Sequence, residues 1–378
     1  MLTGGGTGGH ITPILALAHE LKRLKPDIHI VYIGEHGGKF AHMVVDNPNI
    51  DEIRTVWAGK FRRYHGESWL QRLLDVQTNV LNFRDVFYFL VGTLQALVLL
   101  RRLRPDAVLL KGGFVGVPAG LAAAFWRIPF VTHDSDSLPG LANRLVARWA
   151  TYHATAMSAE NYPYPAASVK YVGVLVSDNH KPVTAQIQSE FKTHIDVPSD
   201  CRLLVVTGGS GGSGSINTAI KKLLPGLLDD YQDLYVVHQV GKGKQGIYKG
   251  FSHARLRVME LLIPMYKYTG ASDVVVTRAG ATTVAELGVQ GRATIIVPNP
   301  LLTGGHQLVN AKILEEQGGV IVVNETTLDI PQDLDAAIRR LLDSSQERKR
   351  LGKHLQDNTI RDAAHELAVV VLAVAGKS

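Results

Sequence analysis

Two glycine-rich turns, each running into a helical period, offer the first chemistry in this 378-residue sequence. Gly4-Gly5-Gly6-Thr7-Gly8-Gly9-His10 leads into Pro13-Ile14-Leu15-Ala16-Leu17-Ala18. Gly208-Gly209-Ser210-Gly211-Gly212-Ser213-Gly214-Ser215 follows the apolar run Leu203-Leu204-Val205-Val206. Glycine lets a backbone turn tightly and bring its N–H groups against a ligand, and a helix N-terminus favours negative charge. Two such turns about two hundred residues apart suggest two nucleotide-fold halves facing one cleft. The first turn lacks the Gly-Lys-[Ser/Thr] ending of a P-loop and the Gly-x-Gly-x-x-Gly spacing of a dinucleotide site. Pro13 is expected in the first turn of its helix.

His10 is placed where that helix opens. A histidine there can cap its own turn, or it can accept a proton from a sugar hydroxyl or meet a phosphate. In Thr277-Arg278-Ala279-Gly280-Ala281-Thr282-Thr283-Val284-Ala285-Glu286, a helix start could bind phosphate through its N–H groups and the two threonine hydroxyls. Glu286, one turn further, could accept hydrogen bonds from both hydroxyls of a ribose. Thr283-x-x-Glu286 reads equally well as a capping box. His306, Gln307 and Asn310 follow Thr303-Gly304-Gly305 and could read sugar hydroxyls, as ordinary helix-start polarity also explains. His133-Asp134-Ser135-Asp136 offers carboxylate bases or an Asp-x-Asp metal site at a strand end, where ligands of open α/β sheets collect. Asp333-Leu334-Asp335 repeats the pattern on what reads as a polar helix face.

The elements needed to hold these residues alternate short apolar strands with helical periods, the pattern of parallel sheets covered by helices. Strands are expected at residues 28–33, 107–110, 129–132 and 152–156, then at 203–207, 234–239, 273–277, 294–297 and 320–323. Helices are expected at 11–25, 73–103, 117–126 and 138–149, then at 215–228, 281–290 and 307–316. A last helix, 360–375, is expected to return to the first domain. Asn161-Tyr162-Pro163-Tyr164-Pro165-Ala166-Ala167 breaks both periods and reads as the linker. The expected division is therefore a first domain at 1–162, a second at 163–355, and a crossing helix within 356–378. Three residues precede Gly4, so the first strand is very short or the true start lies upstream.

Length and a 46% hydrophobic content suit two globular domains. Cys201 is the one cysteine, which excludes an internal disulfide and suits a reducing cytoplasm. Residues 54–104 hold nine Lys/Arg against three Asp/Glu, an excess as large as the chain's whole net charge of +6. Trp57, Phe61, Tyr64, Trp69, Phe87, Tyr88 and Phe89 are interspersed there. The apolar run 86–100 is shorter than the ~20 residues a membrane span needs, and arginines 101, 102 and 104 end it. It reads as an interfacial helix on an anionic membrane, or as a buried helix with a basic last turn. Charge alone would allow nucleic acid, but no recognised module supports that, and no nucleic-acid partner is expected.

Together, Gly4 to His10, Gly112-Gly113-Phe114-Val115-Gly116-Val117-Pro118, Gly208-Gly209-Ser210, Arg278 to Glu286 and His306-Gln307-x-x-Asn310 resemble the MurG family in order and spacing, over almost the whole chain. The resemblance implies a GT-B fold, two Rossmann-like domains with the site between them. It implies transfer of N-acetylglucosamine from UDP-N-acetylglucosamine to undecaprenyl-pyrophosphoryl-N-acetylmuramoyl-pentapeptide (lipid I to lipid II), with inversion, no cofactor and no obligatory metal. It implies work at the cytoplasmic face of the membrane as a peripheral protein, docked through the 54–104 region. By position, Glu286 would hold the ribose and Ala281, Thr282 and Thr283 the diphosphate. Ser210 and Gly211 would lie near the donor phosphates, and His306, Gln307 and Asn310 near the sugar. Thr7, Gly8, Gly9, Gly113 and Asn143 would serve the acceptor half, with His10 or Asp134 as base. Departures stand at three places. Asp134 and Asp136 replace the usual Glu and Asn of His-Glu-Gln-Asn. Gly173-Val174-Leu175-Val176-Ser177 replaces Gly-Asn-Pro-Val-Arg and loses a cation. Gly211 replaces the Gln of Ser-Gln-Gly. A transferase of the same fold with another lipid acceptor, such as diacylglycerol, and a non-catalytic UDP-sugar-binding partner are the rival readings.

Overall fold

The structure, a computed structural model, describes residues 1–5, 8–38, 42–60, 75–209, 211–300 and 305–376, without the side chains of 8–10, 42, 76 and 77. The chain divides into two compact units, Met1–Ser177 with Asp362–Ser378, and Asp178–Arg361.

In the first unit, β1 (Leu2–Thr3), β2 (Val31–Glu35), β3 (Glu52–Val56), β4 (Val108–Leu110), β5 (Phe130–Asp134), β6 (Tyr152–Thr155) and β7 (Val169–Tyr171) form one parallel sheet. Their order is β3-β2-β1-β4-β5-β6-β7. β1 is central: Leu2 pairs Tyr32 on one side and Leu109 on the other. The helices are α1 (Gly8–Leu24), α2 (His42–Val45), α3 (Val76–Leu103), α4 (Gly116–Trp126) and α5 (Leu141–Val146). Ile11, Ile14, Leu17, Ala18 and Leu21 recur at helical spacing and bury the inner face of α1. Because α1 begins at Gly8, Pro13 stands in its second turn, not the first.

The second unit repeats the plan. β8 (Arg202–Thr207), β9 (Leu234–Gln239), β10 (Leu256–Met259), β11 (Val274–Thr277), β12 (Thr294–Ile296) and β13 (Ile321–Val322) are parallel in the order β10-β9-β8-β11-β12-β13. Its helices are α6 (Ala185–His194), α7 (Gly214–Asp230), α8 (Met265–Ala271), α9 (Ala281–Gln290), α10 (His306–Glu316), α11 (Gln332–Asp343) and α12 (Ser345–Asp357). In both units the strand order reverses between the first strand and the fourth, and ligands of open α/β sheets bind beyond strand ends at such a reversal. Each glycine turn follows a first strand at that point. The last helix, α13 (Ala363–Ala375), returns to the first unit, where Leu367, Ala368, Val371 and Val374 join the core of α1. There His365 Nδ1 lies 2.7 Å from Glu20 Oε1. Arg23, with His365 adding, holds the Glu20 carboxyl down at about 2.

The 86–100 run is part of a 28-residue helix, α3, and its stretch Thr78–Leu103 is long and apolar enough to cross a membrane by length and composition. Shortness is therefore no argument against spanning. Packing is: Asp85, Ala96 and Leu100 are buried, the last two in the core of the first unit.

Candidate active site

In the first unit the turn at Gly4-Gly5 after β1 and the turn at Gly112-Gly113 after β4 lie back to back. Gly113 has φ +78°, and a Cβ there would stand 2.4 Å from the Gly5 carbonyl oxygen, so the close approach requires glycine. Tyr32 donates to the Gly4 carbonyl at 2.7 Å and fixes the other side of the turn. Gly8, Gly9 and His10 form the first helical residues of α1, where backbone N–H groups are unpaired by the helix. The His10 side chain and all of Thr7 lie outside the described residues, as does Ser210 in the second unit.

Asp134 ends β5 and is 4% exposed. Its Oδ1 accepts from Asn143 Nδ2 at 2.9 Å and from the Gly140 N–H at 3.0 Å, and its Oδ2 accepts from the Tyr164 hydroxyl at 2.9 Å. Asn143 also donates to the His133 carbonyl at 3.0 Å. Burial raises the Asp134 carboxyl, with these donors opposing. Asp134 and Asn143 thus brace the turn from β5 to α5. Beneath it, the buried Lys111 ammonium donates to Ser135 Oγ at 2.6 Å; burial lowers it to about 8, while Asp134 and Asp136 oppose the shift. His133 is buried with Nε2 3.1 Å from the Gly173 carbonyl and is held well below the usual histidine range, first by burial and then by Lys111. Among the described residues no three His, Cys, Asp or Glu side chains gather as metal ligands.

In the second unit, Gly212 closes the glycine turn with φ +64°, and a Cβ there would meet the Val240 carbonyl at 1.9 Å. Gly211 has nothing within 4 Å of its would-be Cβ, and its carbonyl accepts from Lys244 Nζ at 2.8 Å. Ser213 caps α7 through the Ile216 N–H. The turn is tied to two neighbouring strands by Arg278, which donates to the Val297 carbonyl at 3.1 Å, Ser213 Oγ at 2.6 Å, Ser215 Oγ at 2.9 Å and the Glu325 carboxylate. Ser215 donates to the same carboxylate.

Helix α9 starts at Ala281 with Gly280 as its cap residue, and no side chain caps it. The capping-box reading of Thr283 and Glu286 is therefore not realised: Thr283 is already the third helical residue and Glu286 lies in the second turn. This leaves the N–H groups at Ala281, Thr282 and Thr283 as the open helix start. Glu286, 13% exposed, has its carboxyl pushed up to about 7 by burial. His180 Nε2 lies 3.8 Å from Glu286 Oε1. Gln307 Oε1 accepts from the Asn299 N–H at 2.9 Å, and Asn310 Nδ2 donates to the Ala279 carbonyl at 3.3 Å. These two amides tie α10 to Asn299 and Ala279, beyond β12 and β11, and His306 is the first residue of α10.

The sequence reading missed roles for Lys111, His180, Lys244 and Glu325. Lys111 alone carried a local signal, as a charge ending an apolar strand just before Gly112; the others depend on partners distant in the chain.

Residues 1–155 match the model of the glycosyltransferase family 28 N-terminal domain, and residues 203–367 that of the family 28 C-terminal domain. A protein of Bacillus subtilis (strain 168) named UDP-N-acetylglucosamine--N-acetylmuramyl-(pentapeptide) pyrophosphoryl-undecaprenol N-acetylglucosamine transferase is 31% identical, over 98% of each chain. A protein of the same name from Salinibacter ruber (strain DSM 13855 / M31) is 32% identical, over 100% of this chain and 97% of its own. The crystal structure of Acinetobacter baumannii MurG superposes with a TM-score of 0.72 at 23% identity, covering 99% of both chains, and so shares the fold. The strand order, the paired glycine turns and these full-length likenesses converge: the chain is a GT-B glycosyltransferase of family 28 and belongs to the MurG family.

Proposed function

We propose that this enzyme moves N-acetylglucosamine from UDP-N-acetylglucosamine to undecaprenyl-pyrophosphoryl-N-acetylmuramoyl-pentapeptide, making lipid II from lipid I with inversion. The observation that carries it is full-length likeness to relatives of that name, together with glycine turns at the strand-order reversal of both sheets. In the reaction an acceptor hydroxyl oxygen attacks the anomeric carbon, the bond from that carbon to the diphosphate oxygen breaks, and UDP leaves. The N–H groups at the start of α9, with Thr282 and Thr283, would stabilise the charge developing on the diphosphate. Glu286 would hold the ribose, with Gly211 and Ser210 at the phosphates and His306, Gln307 and Asn310 at the sugar. Thr7, Gly8, Gly9 and Gly113 would cradle the acceptor pyrophosphate.

Asp134 already takes three hydrogen bonds, which suits a bracing role with Asn143. We therefore assign the base to His10, which takes the proton of the attacking hydroxyl. UDP release and product mass, followed with a short-chain lipid I analogue, test the assignment. His10→Ala should cut turnover far more than donor binding, and Glu286→Ala should chiefly weaken the donor. Equal loss of both properties in both variants would overturn these roles.

Peripheral docking on the cytoplasmic face of the membrane belongs to the same proposal. Val80, Phe83, Phe87, Leu90, Leu94 and Val98 share one side of α3 and are all exposed, Phe83 by 80%. Phe125 and Trp126 of α4 are also exposed, and Trp126 Nε1 donates to the Leu97 carbonyl at 2.9 Å. Arginines 84, 101, 102 and 104 lie in or at the end of α3. An apolar stripe flanked by cations suits a helix lying in an anionic interface. Phe83→Glu with Phe87→Glu should abolish sedimentation with phosphatidylglycerol vesicles while leaving UDP binding intact; unchanged sedimentation would refute docking through α3.

A further inference from the structure

Ribose recognition by Glu286 needs an ionised carboxylate, since a protonated one loses acceptor capacity and cannot receive two hydroxyl hydrogens equally. Yet burial favours the protonated form at Glu286, whose carboxyl is pushed up to about 7. A nearby cation would counter this. His180 is 7% exposed and brings Nε2 to 3.8 Å from Glu286 Oε1.

Among the described residues, the other elements packed around α9 bring no competing charge to that carboxylate. From α8, Tyr266 meets the His180 ring edge-on at 6.1 Å between centroids. From α12, Gln356 donates to the Val289 carbonyl, and Thr359 just beyond it packs at Gly288. Arg350 and His354 of α12 turn toward Gly318. Arg292, just past α9, donates to the carbonyls of Gly270, Ser272 and Val183 and feels Asp273. Among the described residues, His180 is the titratable group placed to act on Glu286.

We propose that His180 is a positioning residue for the donor: it takes the proton that Glu286 would otherwise hold, so that an ionised carboxylate meets the ribose diol of a nucleoside-diphosphate sugar. The pair titrates as a unit, with its shared proton on His180 Nε2. Donor binding then fails only when a second proton reaches Glu286 in acid. This inference rests on Glu286 being the ribose acceptor.

The test measures the Michaelis constant for UDP-N-acetylglucosamine between pH 5.5 and 8.5, with the full chain and a lipid I analogue. In His180→Gln the acid limb should move up by about one pH unit, the low end of the effect of an adjacent opposite charge. That raises KM about fivefold at pH 6, with kcat at saturating donor within about twofold, and the difference should vanish at pH 8.5. His180→Lys, which keeps a cation, should hold the limb at or below its wild-type position. A KM raised equally at every pH, or an acid limb that moves in neither variant, overturns the proposal. If His180→Gln does not fold, the position of the limb in His180→Lys decides the matter: a limb above the wild-type one overturns it.

Binding of UDP against 2′,3′-dideoxy-UDP by calorimetry separates the two layers. Glu286→Gln should erase the preference for the diol. A preference that survives overturns the ribose assignment itself. An erased preference with an unmoved acid limb overturns only the part given to His180.

Discussion

Glu286→Gln should make the second unit more stable at pH 8 while weakening the donor, because the carboxylate is kept where folding disfavours its charge. Burial raises the Glu286 carboxyl from 4.5 to about 7. At 1.36 kcal/mol per pH unit, that rise corresponds to about 3 kcal/mol. The folded state binds the proton more tightly than the unfolded chain does. The stabilisation is therefore full below pH 4.5 and is lost as pH rises through 7. Glutamine keeps the shape and has no proton to lose, so the variant should lack this slope.

The assay is urea unfolding at pH 5, 6.5 and 8. Trp57, Trp69, Trp126 and Trp149 are the four tryptophans and all precede residue 178. Their fluorescence follows the first unit, while far-UV circular dichroism includes the second, and two probes are needed because a two-unit chain need not unfold in one step. The dichroism transition of Glu286→Gln should move to higher urea at pH 8 by up to about 3 kcal/mol, with the tryptophan transition fixed. A variant less stable than wild type at pH 8, or two parallel pH dependences, would refute the reasoning.

Arg278→Met should cost about 3 kcal/mol, since it leaves the Glu325 carboxylate mostly buried without its cation. Glu325→Gln should cost about 1 kcal/mol, and the double variant should cost less than the sum; additive losses in a denaturation cycle would contradict the coupling. Gly212→Ala must displace the Val240 carbonyl and should lower both stability and UDP affinity. Gly211→Ala has room, so it should leave the melting temperature unchanged and weaken UDP alone, as calorimetry can check. Asp134→Asn would set an amide N–H group against the donors that now reach the carboxylate, at Tyr164 or at Gly140 and Asn143. It should lower turnover at least tenfold with donor binding unchanged; turnover within twofold of wild type would deny the brace a part in the acceptor half.

How far the fold could be read depended on where each strand lies. Buried central strands such as β8, β11 and β12 are continuous apolar runs, and the sequence reading found them. It passed over β3, β7 and β10, all edge strands with charges and exposed or half-exposed faces. Of α11 it read only a polar helix face at Asp333-Leu334-Asp335 and gave no range, although Leu334, Ala337, Ile338, Leu341 and Leu342 keep a helical period and are buried. The glycine turns were legible because a tight turn needs glycine whatever surrounds it. A strand before the first glycine turn was legible from that turn, and its place between β2 and β4 is decided by the fold.

Local chemistry was therefore written in the chain itself: glycine turns after apolar strands, open helix starts, and a carboxylate one turn into α9. Repetition of that pattern, with the family motifs in order, was enough to specify two Rossmann-like halves. Tertiary structure alone decided what each polar group meets. Asp134 finds Tyr164, Arg278 finds Glu325, and Glu286 finds His180 across 30, 47 and 106 positions respectively. Periodicity reports only which face of an element is buried. Charge pairing and proton affinity are set by atoms a few ångströms away, and the fold brings those from elsewhere in the chain.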